Sequence, residues 1–298
     1  MLLLQIVSAQ PGAGKTTFAV AIGLGLSHAG QRLTLIRLGD SEAARQDAAT
    51  FAAYAFASSP GRPLPPAELT RNDGVTIVEA DANAEPLAAA AVLIVRGGPT
   101  AEDATLGRAL GARLLGTFAT AVPPPRIEAV GRDLTNGGLR PLAVLGEDRI
   151  LAAPSVGEIR DALGAEVLYA GENELETATD VIIAPVYADP ARPHFRRFAA
   201  KAVLAPFNKT DLHLAAIESQ ATCLVITGGG EPSPYVIDRA QGEATTVLLA
   251  KGETPETVAA LADVWLRSRF RGELKAETAL SHLEGRIDFA SLASRLGS

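Results

Sequence analysis

Residues 9–17 read Ala9-Gln10-Pro11-Gly12-Ala13-Gly14-Lys15-Thr16-Thr17, a Walker A spacing with Ala in the first glycine position. The apolar run over residues 2–8 predicts a buried strand before it, and the pattern over residues 15–28 predicts a helix after it. In that setting the backbone N–H groups of the turn and the positive end of the helix dipole face phosphate oxygens. The stretch therefore predicts a phosphate-binding loop in the first strand-to-helix turn of a parallel sheet.

The motif assigns separate roles to the adjacent residues Lys15 and Thr16. The ammonium of Lys15 is expected to reach the β- and γ-phosphates and to assist catalysis, and the Thr16 hydroxyl is expected to ligate Mg²⁺. Lys15 is the only lysine in the first 200 residues, and the branched fork of Arg is a poor replacement for a compact ammonium in such a loop. We expect ATP and Mg²⁺ as ligands, bound by Gly12, Ala13, Gly14, Lys15, Thr16 and Thr17.

Phosphoryl transfer also requires a carboxylate near the metal, usually at the end of another strand. Glu79 ends the predicted strand over residues 74–79 and is expected to contact Mg²⁺ through water. Asp40 follows the predicted strand over residues 32–38 and is expected to position the attacking water. A turn or capping role is the alternative for Asp40, and also for Asp81 just beyond Glu79.

Alternating apolar runs and helical patterns predict an α/β fold, with a P-loop NTPase-like parallel sheet domain followed by a smaller α/β domain. We expect the first domain at residues 1–150, the second at 151–270 and a helical tail at 271–298. The proline-rich run 58–66 predicts a loop, either a mobile lid or a long connection. The predicted strands are 2–8, 32–38, 74–79, 91–95 and 114–119 in the first domain, and 181–185, 201–206, 222–227 and 245–249 in the second.

Composition excludes several classes of protein. The formal net charge of −7 and the absence of a Lys/Arg run argue against a nucleic-acid binder. Cys223 is the only cysteine, so intrachain disulfides are impossible and a reducing cytoplasm fits best. The N-terminus lacks the pattern of a signal peptide, and no apolar run approaches the ~20 residues of a spanning helix. We therefore expect a cytoplasmic protein with neither a nucleic-acid partner nor a membrane segment.

The order of several motifs resembles a known family. The chain is similar to the N-terminal, non-catalytic region of long phosphotransacetylases and to stand-alone relatives of that region. These contain a dethiobiotin-synthetase-like P-loop domain followed by a DRTGG domain, and the resemblance implies a homo-oligomer such as a dimer. It rests on the Walker A run, Ile77-Val78-Glu79-Ala80 and residues 116–123 in the first domain, and on residues 147–156, 214–218, 223–229 and 231–236 in the second.

The chain departs from the family pattern at identifiable positions. Thr120 stands where related P-loop enzymes place an Asn that helps to read adenine, so the resemblance does not decide between adenine and guanine. Asn208-Lys209 replaces the Asp-Arg pair of the second domain, whereas Thr227-Gly228-Gly229 is retained. The acetyl-transferring domain of phosphotransacetylase is absent from the sequence, so that activity is not implied.

Three functional hypotheses remain open at this point. The first is a P-loop protein that binds Mg-ATP, hydrolyses it slowly and acts as a regulatory switch on its second domain or on another protein. The second is an ATP-dependent ligase or kinase acting on a small molecule, like dethiobiotin synthetase. Against it, that enzyme's early second lysine is missing, and Arg37, the nearest substitute, stays charged and cannot transfer a proton near neutral pH. The third is a scaffold dimer without turnover.

Two further features of the second domain allow two interpretations each. Thr227-Gly228-Gly229-Gly230 follows a predicted strand and would suit either an anion site or a tight structural turn, of which the turn is favoured. The apolar stripe formed by Val258, Leu261, Trp265 and Leu266 predicts either core or a subunit interface.

Overall fold

The structure is a computed structural model that describes residues 2–69, 73–82, 84–87, 89–171, 175–185 and 187–297. The chain forms two compact units. The first contains the described residues up to Asp148 together with those from Ala276 onward, and the second contains Arg149–Lys275.

The first unit is built on a six-stranded sheet in the order β2-β3-β1-β4-β5-β6, with every described pairing parallel. The predicted α/β architecture is thereby confirmed. The strands are β1 (Leu2–Val7), β2 (Leu33–Arg37), β3 (Val75–Glu79), β4 (Ala90–Arg96), β5 (Leu114–Val122) and β6 (Pro141–Gly146). The helices between them are α1 (Lys15–His28), α2 (Glu42–Ala52), α3 (Ala101–Leu110) and α4 (Ile127–Asn136).

Strand register determines which residues meet at the carboxyl edge of this sheet. Arg37 at the end of β2 pairs with Glu79 at the end of β3, and Glu79 also pairs with Ile6 of β1. On the other side of β1, Arg96 of β4 pairs with Thr120 of β5. Ligands of open parallel sheets bind at this edge, so the loop after β1 lies between two sets of polar side chains.

The proline-rich segment lies alongside β2 and extends the sheet edge. The Ser58 amide donates to the Leu33 carbonyl at 2.9 Å, and the Leu64 amide donates to the Arg37 carbonyl at 2.8 Å. Of the two predicted alternatives, this geometry favours a connection over a lid.

The chain ends with α12 (Glu273–Ser281) and α13 (Phe289–Gly297). From Ala276 onward the chain belongs to the first unit, in which α13 packs against α1 and β1. The ring of Phe289 lies directly over Gly25, so closely that a Cβ added to Gly25 would overlap it. His282 Nε2 also lies 2.8 Å from Asp148 Oδ2, which joins the two segments of this unit.

The second unit contains a five-stranded sheet in the order β7-β11-β10-β9-β8, in which β7 is antiparallel and the other pairings are parallel. Its strands are β7 (Glu166–Tyr169), β8 (Asp180–Ile183), β9 (Lys201–Pro206), β10 (Cys223–Thr227) and β11 (Thr246–Leu249). Its helices are α5 (Arg149–Ala152), α6 (Val156–Leu163), α7 (Ala188–Phe195), α8 (Thr210–Glu218), α9 (Pro234–Gly242), α10 (Thr254–Leu261) and α11 (Val264–Arg267).

The apolar stripe near the end of this unit is mainly core. Leu261 is buried, and Val258 and Trp265 pack against the same cluster of buried side chains, which includes Cys223. Leu266, by contrast, is 85% exposed. Of the two predicted roles, the structure favours core for three of the four residues.

Among the described residues, no helix is both long and apolar enough to cross a membrane.

Candidate functional site

The turn between β1 and α1 has the backbone geometry of a phosphate-binding loop. Gly12 and Gly14 have φ angles of 68° and 98°, in the left-handed region that glycine adopts without steric cost. Gly14 is the N-cap of α1, so the amides of the first helical turn have no partner within the helix. The start of α1 therefore brings N–H groups without an intrahelical partner to the edge of the sheet.

The side chain of Lys15 is held inside this turn. It is 7% exposed, and its ammonium donates to Ser8 Oγ at 3.1 Å. The Ser8 hydroxyl in turn donates to the Gln10 carbonyl at 2.6 Å. Burial lowers the pKa of Lys15, and the neighbouring Glu79 opposes that shift. Among the residues that the structure describes, no carboxylate is hydrogen-bonded to this ammonium, which donates to Ser8 instead.

Glu79 faces the start of α1 from the neighbouring strand. It is 3% exposed, and its Oε1 accepts a hydrogen bond from Thr16 Oγ1 at 3.2 Å. Its second oxygen, Oε2, is buried without a hydrogen-bond partner among the described residues. Burial raises the pKa of Glu79 to about 7 and Asp47 adds to the increase, while Arg37, Lys15 and the Thr16 hydroxyl oppose it.

This pair of side chains fits a divalent metal ion. Mg²⁺ prefers oxygen ligands and keeps several of its waters, and a buried carboxylate oxygen without a partner is costly unless something binds it. The Thr16 hydroxyl and Glu79 are the residues that would hold the ion, either directly or through water. The sequence predicts a metal-binding role for both residues, and that role stays a prediction.

Arg37 forms an ion-pair cluster beside Glu79. Its guanidinium is 3% exposed, contacts Asp47 of α2 at 3.0 Å and Asp81 after β3 at 2.5 Å, and approaches Glu79 Oε1 at 3.9 Å. It also donates to the Leu38 carbonyl. Three carboxylates therefore surround this one guanidinium, so its charge is compensated within the protein.

Two side chains on the opposite side of β1 contact the loop itself. Arg96 Nη1 donates to the Gly12 carbonyl at 2.9 Å. Thr120 Oγ1 donates to the Ala13 carbonyl at 2.9 Å, and the Val95 carbonyl is a second, more distant acceptor at 3.3 Å. Thr120 is thus hydrogen-bonded to the loop that follows β1.

Two predicted site residues, Thr17 and Asp40, have no contact in the structure that indicates their role among the described residues. Thr17 is half-buried in the first turn of α1, next to Thr16. Asp40 is exposed after β2, and its backbone carbonyl accepts from Arg45 at 2.9 Å. The carboxylates that pair with Arg37 are Asp47 and Asp81, and Asp40 as a positioner of water stays a prediction.

Sequence reasoning missed Asp47 and Arg96. Arg96 directly follows the predicted strand over residues 91–95, so the rule that places strand ends at one sheet edge could have identified it. Asp47 lies in the middle of α2, and nothing in the helical pattern distinguishes it from a solvated side chain.

In the second unit, the glycine-rich turn after β10 uses its own amides internally. The Gly228 amide donates to the Gly252 carbonyl at 2.8 Å, and the Gly229 amide donates to the Ala250 carbonyl at 3.1 Å. The ring of Phe207 covers Gly230. These contacts favour a structural turn over an anion site.

Comparison with known proteins agrees with this architecture. Residues 158–264 match the DRTGG domain family. Over 171 residues, or 52% of its length, the chain is 30% identical to the phosphate acetyltransferase of Nitratidesulfovibrio vulgaris (strain Hildenborough). That match covers 24% of the relative, so the chain spans about a quarter of its length. The resemblance predicted from the sequence is confirmed to this extent: about half of the chain is similar to a phosphate acetyltransferase, and residues 158–264 match the DRTGG domain family.

A solved structure is also similar to part of the chain. It contains the CBS and DRTGG domains of the regulatory region of the Clostridium perfringens pyrophosphatase, complexed with the activator diadenosine tetraphosphate. The sequence identity is 19% and the TM-score is 0.35, with 47% of this chain and 65% of that chain covered.

Proposed function

We propose that the chain binds Mg-ATP through its P-loop, hydrolyses it slowly and acts as a regulatory switch coupled to its DRTGG domain. One observation carries the proposal: Glu79 is buried with Oε2 unpartnered and with Oε1 bonded to Thr16, the residue next to Lys15. Such a carboxylate is costly in the free protein. A metal ion brought in by a nucleotide offsets that cost.

Different groups of the chain are proposed to bind the phosphates and the metal. The loop amides and Lys15 bind the phosphates, while Thr16 and Glu79 orient the metal, whose charge neutralises the phosphate oxygens when it is bound. Asp40 is proposed to orient water, and because its side chain is exposed to solvent, slow turnover is expected. Fast phosphoryl transfer depends on a nucleophile held in position.

The state of Arg37 supports a switch over a ligase or kinase. Arg37 is the nearest substitute for the second lysine of dethiobiotin synthetase, and because Asp47, Asp81 and Glu79 surround it, it is not free to bind a substrate carboxylate. Activation of ATPase by a metabolite would favour the enzyme, and activation by a protein partner would favour the switch.

Calorimetry with Mg-ATP tests the binding proposal. Lys15→Ala is expected to weaken binding by at least about tenfold, because a charge-assisted hydrogen bond to phosphate contributes about 1.5–3 kcal/mol. Lys251→Ala, which removes an exposed lysine of the second unit, serves as the control and should bind like the wild type. Equal affinity of wild type and Lys15→Ala would overturn the proposal.

Coupling and assembly have separate tests. If nucleotide state is communicated, Mg-ATP should change hydrogen exchange in residues 149–275 of the wild type and leave Lys15→Ala unchanged.

A homo-oligomer is proposed from the family resemblance alone, since most of the apolar stripe is core. A monomeric mass by light scattering would exclude it.

A further inference from the structure

Three consecutive carbonyls of the phosphate loop are hydrogen-bonded from outside the loop. Gly12 O accepts from Arg96 at 2.9 Å, Ala13 O accepts from Thr120 at 2.9 Å, and Gly14 O accepts from the Phe18 amide at 3.1 Å. The last is an ordinary helical bond. The first two come from side chains of other strands.

Because the peptide bond is planar, a contact that fixes the direction of a carbonyl also fixes the direction of the N–H group that follows it. In a trans peptide the carbonyl of one residue and the N–H of the next point in opposite directions. A Gly12 carbonyl held toward Arg96 therefore turns the Ala13 N–H away from Arg96. By the same rule, the Ala13 carbonyl held toward Thr120 turns the Gly14 N–H away from Thr120.

The flexibility of the loop explains why such contacts matter. Gly12 and Gly14 both have positive φ angles, and glycine loses more conformational freedom on ordering than any other residue. Without external contacts, either peptide unit could rotate and turn its N–H away from the phosphates. Arg96 and Thr120 are register partners on the adjacent strands β4 and β5. Both loop carbonyls are therefore contacted from the same position along the sheet.

We infer that Arg96 and Thr120 are positioning residues of the phosphate loop. Each holds one carbonyl outward, so that the following amide, Ala13 for Arg96 and Gly14 for Thr120, is preorganised to donate to a bound polyphosphate. The role rests on the proposed binding of nucleotide by the loop. It gives Thr120 a phosphate-positioning function in place of base recognition.

The affinity test uses variants that remove one donor each. Thr120→Val keeps the shape of the side chain and removes the hydroxyl, and Thr120→Ser restores it. The matched control is Thr117→Val on the same strand, because Thr117 is fully buried and its hydroxyl has no partner among the described residues. For Arg96→Met, the exposed Arg108→Met is the control.

Titrations with Mg-ATP, Mg-GTP and magnesium pyrophosphate give the first readout. We expect Thr120→Val and Arg96→Met to bind all three about three- to tenfold more weakly, as for the loss of one hydrogen bond. The ATP-to-GTP ratio should stay unchanged, Thr120→Ser should regain most of the affinity, and both controls should bind like the wild type. If Thr120→Val changes the ATP-to-GTP ratio and leaves pyrophosphate binding intact, Thr120 reads the base and the inference is wrong.

Amide NMR shifts give a second readout that a general loss of stability would not reproduce. On addition of magnesium pyrophosphate, the Ala13 and Gly14 amide protons of the wild type should move downfield. Arg96→Met should reduce mainly the Ala13 response, and Thr120→Val mainly the Gly14 response. Unchanged responses in both variants would overturn the inference while leaving nucleotide binding intact. Failure of the wild type to bind any of the three ligands would overturn the proposed function and this role together.

Discussion

Glu79 shows how burial and function oppose each other at a single side chain. It is 3% exposed with one oxygen unpartnered, so the charged form is poorly solvated in the absence of metal. Burial raises its pKa to about 7. The free protein therefore favours a protonated Glu79, whereas metal binding requires the carboxylate.

This conflict predicts how the stability of the metal-free protein depends on pH. Between about pH 4.5, the ordinary value, and pH 7, the folded state retains a Glu79 proton that the unfolded state releases. Stability therefore falls as the pH rises through this window. Glu79→Gln has no proton to lose, and its amide oxygen can still accept from Thr16.

Melting curves in EDTA at pH 5 and pH 8 measure the effect. At pH 8 the Glu79→Gln variant should melt at least about 3 °C above the wild type, given about 2–4 °C per kcal/mol for domains of this size. At pH 5 the two should melt close together, since Glu79 is then protonated. The same variant should lose most of its Mg²⁺-dependent ATP affinity. A difference in melting temperature that is equal at both pH values would show that ionisation of Glu79 is not its cause.

The sequence predicts those candidate site residues that carry a signal in their own local stretch of sequence. Lys15, Thr16 and the glycines follow from motif spacing, and Glu79 follows from its position at the end of an apolar run. Arg96 and the new role of Thr120 depend on strand order and register, which bring together residues about 80 to 110 positions apart only after the sheet has formed. Asp47 is close to Arg37 in sequence, but its contact depends on how α2 packs against β2.

At the scale of elements, the contact between α1 and α13 depends on a missing side chain. Gly25 lies within α1, where glycine is less favourable than alanine by roughly 1 kcal/mol. The ring of Phe289 occupies the space that a Cβ would need. Glycine is therefore required here by close packing rather than by backbone conformation.

A double-mutant cycle tests this contact, because the effect of Gly25→Ala on stability should change sign once Phe289 is replaced. Gly25→Ala alone should destabilise the protein by about 1–3 kcal/mol, because the new methyl group overlaps the ring. In the Phe289→Ala background, the same substitution should be neutral or stabilising by up to about 1 kcal/mol, since the clash is gone and the helical preference of Ala remains. Urea unfolding of the four proteins measures both steps. The same destabilisation in both backgrounds would contradict the described contact.

The accuracy of the strand predictions follows from burial. β1 to β5 and β8 to β11 were predicted to within a few residues, because most are continuous apolar runs that mark strands buried on both faces. β6 and β7 were missed, and both are edge strands. β6 begins at Pro141 and is mostly half-buried, and β7 has only four residues, none of them buried. Short or half-exposed edge strands lack the long apolar run on which the other predictions depended.

At the scale of the whole molecule, the first unit is discontinuous in sequence. Its two segments are separated by the unit that carries the DRTGG domain, and they meet where His282 contacts Asp148 at 2.8 Å. The sequence suggested three consecutive parts, 1–150, 151–270 and 271–298. Apolar residues in the tail mark helices, but they do not say what those helices pack against. The partner of the tail's one aromatic residue, Phe289, is a glycine more than 260 positions earlier, so periodicity alone could not assign the tail to a unit.

This organisation predicts that the first unit survives removal of the second unit but not removal of the tail. Replacing residues 149–275 by a Gly/Ser linker of about six residues should leave a folded protein that binds Mg-ATP with near wild-type affinity. The linker joins Asp148 to Ala276, which lies in α12 six residues before His282, the residue that contacts Asp148. A chain ending at residue 275, by contrast, exposes the faces of α1 and β1 that α13 covers, and should lose stability measurably. Circular dichroism melts and calorimetry of the two deletion variants decide the point. If the chain lacking 276–298 melts like the full protein and the linked form does not fold, then the tail is not part of the first unit.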